Sequence, residues 1–483
     1  MKKLTTSLFA LALLAGCNVL DKDPLPSISP TNFFKTADDA EAAITAVYDG
    51  IQGTGAYAQD LNIVGEMPSD NCTSTNGDVA AMDNIAWTPT TGQVGSVYRE
   101  AYIAINRANA VLKYVPGLDM PATRKNQILG EAHFIRALSY FNLVKLYGGV
   151  PLRLEPTESG DPAVLNLPRT VPEQVYQQVV DDLTTAEGLI AISNPTRASK
   201  GSVNALLARV QLTQRHWAEA QAAAAKVIGG GYSLAMPFKS LFPADNKGES
   251  VFEVQFSGNS DGGTFNILPD LLLPSPPATY SFPKFNIPTT ELIQYADTAN
   301  DLRWKYIGRT NAGRDHGSYV DGGRGNGNDQ GPFVYKWPSN PNGFNSPDNY
   351  YVLRYADVLL MYAEAANEQT GPTADALAKL NMVRERAGLT ALTTASAQAA
   401  SKQTLRNEID RQRRLELAFE GERWFDLLRY ARHNQAEAGA HAVTALDIIA
   451  QKRQGARDVN YLLFPIPLGE LNTNTQIQQN PGY

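Results

Sequence analysis

Apolar residues recur at helical spacing in segments that come two by two, and this constrains the fold of the chain more than any other feature. In GEAHFIRALSYFNLVKLYGG, Phe134, Ala137, Leu138, Phe141 and Val144 fall on one face of a helix, and Gly148 and Gly149 end the run. An apolar stripe of this kind has to be covered by another helix. VPEQVYQQVVDDLTTAEGLI follows with helical character, VNALLARVQLTQ turns at Arg215 and His216 into WAEAQAAAAKVIGGG, and RYADVLLMYAEAANEQ turns through Gly371 and Pro372 into ADALAKLNMVRERAGL. Each pair sets Ala or Gly where two helices must approach closely, with a large residue such as Trp217 or Tyr362 beside them. Tetratricopeptide-like helical hairpins pack in this way. No fixed period separates the pairs, so loops must divide them.

Between about 231 and 349 the character changes to Gly, Pro, Asn and aromatic residues around a strand-like run, VFEVQF. Short strands and long loops are expected there, and so long an irregular stretch inside a helical frame is more often functional than idle. The frame resumes at Tyr350, runs through LRNEIDRQRRLELAFEGERWFDLLRYAR and ends in an extended tail. At the other end, Lys2 and Lys3 precede an apolar run too short to span a bilayer, as in an export leader. It closes in Leu14-Ala15-Gly16-Cys17, which resembles the lipobox at which a bacterial lipoprotein is cut and its cysteine acylated. The organisation expected is a leader over 1–16, a lipidated tether over 17–30, helical body over 31–230, an irregular lobe over 231–349 and helical body with tail over 350–483. A net charge of −7, without any basic run, argues against nucleic acid as a partner.

Several constellations suggest chemistry and are better explained without it. Gly258-Asn259-Ser260-Asp261-Gly262 spells a nucleophile elbow, yet GTFNILPDLLLPSPP cannot supply the helix that must follow. Cys72 has no histidine in its flanks and is expected to be a packed thiol. Glu408, Asp410, Glu416, Glu420, Glu422 and Asp426 could include a glycosidase pair. Arg411, Arg413, Arg414, Arg423 and Arg429 are interleaved with them at helical spacings, so ion pairing within the scaffold is the simpler expectation. DGGRGNGNDQG is rich in oxygen ligands but does not follow the EF-hand order. No cofactor is implied. Sugar sites combine an aromatic platform with side chains that bond two hydroxyls at once. Two stretches carry both: PSDNCTSTNGDVAAMDNIAW, with Asp70, Asn71 and Trp87, and PFVYKWPSNPNGFNSPDNYY, with Tyr335, Trp337 and Phe344. Trp87 is the weakest of these because it precedes a helix and could simply close the core.

The order of segments resembles the SusD/RagB family of surface lipoproteins across nearly the whole mature chain. The resemblance is carried by FFKTADDAEAAITAVYDG, GEAHFIRALSYFNLVKLYGGVPL, VPEQVYQQVVDDL, ESVFEVQF, YYVLRYADVLLMYAEAANE, LNMVRERAGL, RRLELAFEGERWFDLLRY and the closing FPIP and NPGY. It implies a mainly α fold of about four tetratricopeptide-like helix pairs with an irregular, loop-rich lobe carrying short strands. It further implies a non-catalytic lipoprotein on the outer membrane that captures oligosaccharides, less often peptides, and passes them to a SusC-like TonB-dependent transporter. Cys17 would carry the lipid, and Asp70, Asn71, Tyr335, Trp337 and Phe344 are the residues expected to meet ligand. A surface glycoside hydrolase is the alternative. One departure stands out: Gln412 occupies the position before the arginine pair where the family usually has an acid.

Overall fold

The computed structural model describes residues 33–483 except 192, 235–240, 243–244, 259–263, 273–284, 298, 305–319, 322–332, 335 and 337–343. Its principal helices are α1 (Ala37–Asp49), α2 (Asp60–Glu66), α3 (Gly92–Tyr114), α4 (Ala122–Tyr147), α5 (Pro172–Leu189), α6 (Lys200–Gln214), α7 (Trp217–Ile228), α8 (Tyr355–Thr370), α9 (Ala374–Arg386), α10 (Lys402–Glu416), α11 (Arg423–Ala436) and α12 (Ala445–Lys452). Among the described residues, α1 packs with α3, α4 with α5, α6 with α7 and α8 with α9, and each pair leans on the next through α3–α4, α5–α6 and α7–α8 contacts. Four helical hairpins therefore form the frame, the number that the family resemblance implies. No described helix is long and apolar enough to cross a membrane.

Local chemistry sets the helix ends. Thr36 and Asp39 close a capping box on α1, as Ser401 and Thr404 do on α10. Arg215 adopts a left-handed φ of 65° to end α6, and Gly371 a φ of 79° to end α8, so each partner helix can fold back at once.

One element differs from its one-faced reading. α4 is buried on every side from Gly130 to Tyr147 apart from half-buried His133, because α3, α5 and the C-terminal tail surround it. Its polar residues are consequently inside and partnered: Arg136 is paired with Asp182 at 2.7 Å, and the Asn142 amide donates to the Tyr57 hydroxyl at 3.0 Å. Lys145 lies over the rings of Phe425 at 3.6 Å and Phe141 at 4.5 Å.

Among the described residues six short strands, β1 (Cys72–Thr73), β2 (Ser250–Val254), β3 (Ile287–Pro288), β4 (Val320–Asp321), β5 (Phe333–Val334) and β6 (Tyr350–Arg354), form antiparallel pairs β1–β3, β2–β6 and β4–β5. The strand-like VFEVQF is β2, and its register with β6, Ser250 opposite Arg354 and Val254 opposite Tyr350, joins the lobe to the start of α8. The tail seals the body from below. Trp87, 2% exposed, donates its indole N–H to the Tyr483 hydroxyl at 2.6 Å and packs on Phe464, so it closes the core.

Candidate functional site

The segment after α2 is fixed by a close backbone approach. A Cβ at Gly65 would fall 1.9 Å from the Gly421 carbonyl oxygen, so only glycine lets α2 lie against the turn between α10 and α11. Glu66, at the end of α2, accepts the Phe419 N–H at 3.0 Å, the Gly421 N–H at 3.2 Å and the Asn71 amide at 2.8 Å. Burial nevertheless pushes its carboxyl up to about 7.

Asp70 and Asn71 are held by the same junction. Asp70 receives both nitrogens of the Arg423 fork at 2.8 and 3.0 Å, with Arg414 at 3.3 Å. Burial alone would raise this carboxyl, but Arg423 and Arg414 hold it down at about 2. Asn71 is wholly buried, its oxygen taken by Arg414 at 2.9 Å and its amide by Glu66. Asn71 therefore serves the scaffold, which corrects its expected place among ligand-facing residues: neither end of the amide is open to a sugar hydroxyl. Cys72 is buried 3.6 Å from the Met67 sulfur, and burial keeps its thiol far above the ordinary range.

In front of this junction lies a cleft of about 470 Å³ lined by Asp70, Thr73, Asp83, Asn84, Glu291 and Lys452, among others. Thr73 and Asn84 are exposed, and the Glu291 side chain is 62% exposed. The walls are braced behind. Lys452 donates to the Met67 carbonyl at 2.8 Å and to Asp83 at 2.9 Å, while Arg414 pairs with Glu291 at 2.6 Å and lies over the Tyr295 ring. Such a cleft offers hydroxyl, amide and carboxylate groups to a polyhydroxylated ligand. Sequence reasoning passed over Glu291 and Lys452, which no local motif marks.

Topology brings the two aromatic-and-polar stretches of the sequence together. β1 follows Asn71 directly and pairs with β3, and β3 packs against β5, which ends one residue before Tyr335. Lys336, 2% exposed, donates to the carbonyls of Glu416 at 2.8 Å and Ala418 at 3.0 Å and pairs with Glu420. Burial brings its ammonium down to about 8 despite Glu420. Phe344 is half-buried against the hydrophobic core with a φ of 64°. Tyr335 and Trp337 lie outside the described residues, as do Cys17, Ser260 and nearly all of the 321–331 loop.

The dense carboxylates form a scaffold network. Glu416, wholly buried, meets Arg354 at 2.6 Å, Arg386 at 2.5 Å and Arg303 at 3.0 Å; Glu420 meets Arg354 at 2.7 Å. Their partners mostly come from other elements, and Arg429 with Asp426 is the one i,i+3 pair here. Glu416 is held well below the usual carboxylate range by Arg386, Arg354 and Arg303 against the opposing effect of burial. Glu416 and Glu420, two of the six carboxylates that could have supplied a glycosidase pair, are thus committed to buried cations and do not face a cleft. Gln412 fills its unusual place without charge: its oxygen accepts from Arg303 at 2.7 Å and its amide donates to Glu408 at 2.9 Å. Glu368, His433 and Glu437 also approach one another, but Arg406 and Lys402 already neutralise the two carboxylates.

Residues 289–483 match the SusD family, and residues 20–212 match a family described as starch-binding and associating with outer membrane. SusD-like protein P2 of Formosa agariphila is 27% identical over 100% of both chains. The starch-binding protein SusD of Bacteroides thetaiotaomicron is 25% identical over 89% of this chain and 86% of its own. A solved laminarin-binding SusD-like protein superposes with a TM-score of 0.75 at 27% identity, covering 93% of this chain and 100% of the other. The family matches cover both halves of the chain and the fold is shared over nearly its whole length, so the chain belongs to the SusD family.

Proposed function

We propose that this protein is a non-catalytic lipoprotein of the outer membrane, anchored through Cys17, which captures oligosaccharides and passes them to a SusC-like TonB-dependent transporter. The observation that carries the binding role is the convergence of β1, β3 and β5. It sets the polar cleft at Asp70 beside the strand that leads into Tyr335 and Trp337. A polar cleft needs an aromatic platform to hold the apolar face of a sugar ring, and these two residues are the first aromatics that follow that strand in sequence. Lys336, the residue between them in sequence, is itself fixed by the scaffold. Relatives named for binding starch and laminarin favour a glycan over a peptide.

Calorimetric titration of the full chain against a glycan panel and peptide digests tests this. Saturable glycan binding that falls roughly tenfold to a hundredfold in Trp337→Ala, as loss of one stacking aromatic would cost about 1.5–3 kcal/mol, with thermal stability kept, is the expected result. Binding that survives both Tyr335→Ala and Trp337→Ala would sink the assignment of this lobe.

A further inference from the structure

A second cleft is larger than the one at Asp70. It is a groove of about 860 Å³ between α3 and the C-terminal turn Leu468–Thr473, with Pro89, Tyr98, Tyr102, Ile103, Pro467 and Leu468 on its apolar wall. Leu468 is 42% exposed, a large apolar side chain with much of its surface uncovered. Donors stand on the rim: Arg99 is 65% exposed, and Asn106, whose oxygen is taken by the Thr157 N–H at 2.7 Å, has its amide NH₂ left to donate. Apolar, aromatic-lined grooves with rim donors suit polyproline II segments, whose proline residues offer carbonyl acceptors and no N–H.

We propose that the occupant is this chain's own segment Leu20–Asn32, LDKDPLPSISPTN, which carries Pro24, Pro26 and Pro30 with Leu25 and Ile28 among them. Its point of departure is fixed. Phe34 stacks on Tyr114 at the C-terminal end of α3, ring centroids 5.0 Å apart and planes 18° from parallel. Residues 151–158 cover the stripe through Tyr102, Asn106, Asn109 and Lys113, but Ile103, Arg107, Ala110 and Tyr114 follow one another at helical spacing beside it and are half-buried, so this second stripe of α3 leads from the groove to that end. The lengths agree. From Tyr114 back to Tyr98 the helix covers about 24 Å at ~1.5 Å per residue, and polyproline II from Phe33 back to Pro24 covers about 28 Å at ~3.1 Å per residue. On that register Ile28 lies level with Ile103, and Leu25 reaches the end of the groove where Leu468 is hydrogen-bonded to Pro89. Docking shortens the free part of the chain to what precedes Pro24, so the body would be held at a set orientation to its anchor.

Paired cysteines in the full chain, purified in detergent, test the register under mild oxidation. Ile28→Cys with Ile103→Cys, and Leu25→Cys with Leu468→Cys, should form intramolecular disulfides roughly tenfold faster than either segment cysteine with Met382→Cys on α9, because docking raises the local concentration. Changing Pro24, Pro26 and Pro30 together to Gly should remove most of that advantage. Should Ile103→Cys disturb folding, the pair at exposed Leu468 stands alone. Equal rates at Leu468 and Met382, or disulfides formed only between copies, overturn the proposal.

Discussion

Behind the cleft, where β6 runs into α8, Glu249, Glu416, Glu420 and Asp301 face Arg303, Arg354, Arg386 and Lys336, four acids against four bases, all of them buried or nearly so. A short step forward, Glu291 is mostly in water and its partner Arg414 is buried. The chemistry of the side chains is the same in both places, and their surroundings are opposite. Charge in the first region has nowhere to go but its partners. Charge in the second can exchange its partner for water or for a ligand. The division teaches that density of carboxylates marks the frame in this protein, and that a binding surface is found where the same residue types are left partly wet.

The sharpest way to break the buried side is Arg354→Ala. Arg354 reaches Glu249 at 2.5 Å, Glu416 at 2.6 Å and Glu420 at 2.7 Å. Its removal takes the shared cation from three buried carboxylates and leaves Glu249 with Arg386, Glu416 with Arg386 and Arg303, and Glu420 with Lys336, so one negative charge is left uncompensated out of water and stability should fall by about 3–5 kcal/mol. Chemical denaturation reads this directly; a loss below about 1 kcal/mol would mean that water reaches the junction and that it is no different from the cleft.

Asp70 sits on the boundary between the regions, and acid distinguishes which side it belongs to. Its carboxyl titrates near 3.8 in an open chain and about 2 in the fold. The unfolded state therefore takes up the proton first, so this contribution is complete above pH 3.8 and drains as pH falls toward 2. It amounts to about 2 kcal/mol. Asp70→Asn should lower the melting temperature at neutral pH, where Arg423 and Arg414 lose their partner, and flatten its decline in acid. An unchanged acid slope would place Asp70 with the wet residues instead.

The frame was legible from the sequence because helical hairpins advertise themselves locally, by spacing and by residues such as Gly371. α4 could be recognised as a helix but not as the central one, since the polar face that would normally point to solvent is satisfied by residues as distant as Tyr57 and Asp182. The ion-paired character of the C-terminal carboxylates was also foreseeable. Their partners were not: Arg303, Arg354 and Arg386 come from separate elements, where spacing along one helix says nothing. Gln412 shows the same limit, because a neutral residue there makes sense only once Asp301 and Glu416 are seen to balance Arg303 already. Asn71 misled for a related reason. A polar run beside a tryptophan looks like a sugar site, and burial against Glu66 and Arg414 is invisible until the chain has folded.

The mildest substitution probes the wet side. Glu291→Ala removes one partner of Arg414, which retains Asn71 at 2.9 Å, the Asp70 carbonyl at 2.9 Å and the Tyr295 ring beneath it. The acid is 62% exposed, so the pair is screened and its loss should change stability by no more than about 0.5 kcal/mol. Affinity for the glycan should nonetheless fall several-fold if the cleft makes contact with ligand, since an exposed carboxylate can accept two sugar hydroxyls at once. Denaturation and calorimetry on the same variant separate the two effects. A large loss of stability would move Glu291 into the frame, whereas unchanged affinity with unchanged stability would shift the contact surface away from Glu291 toward the aromatics that follow β5.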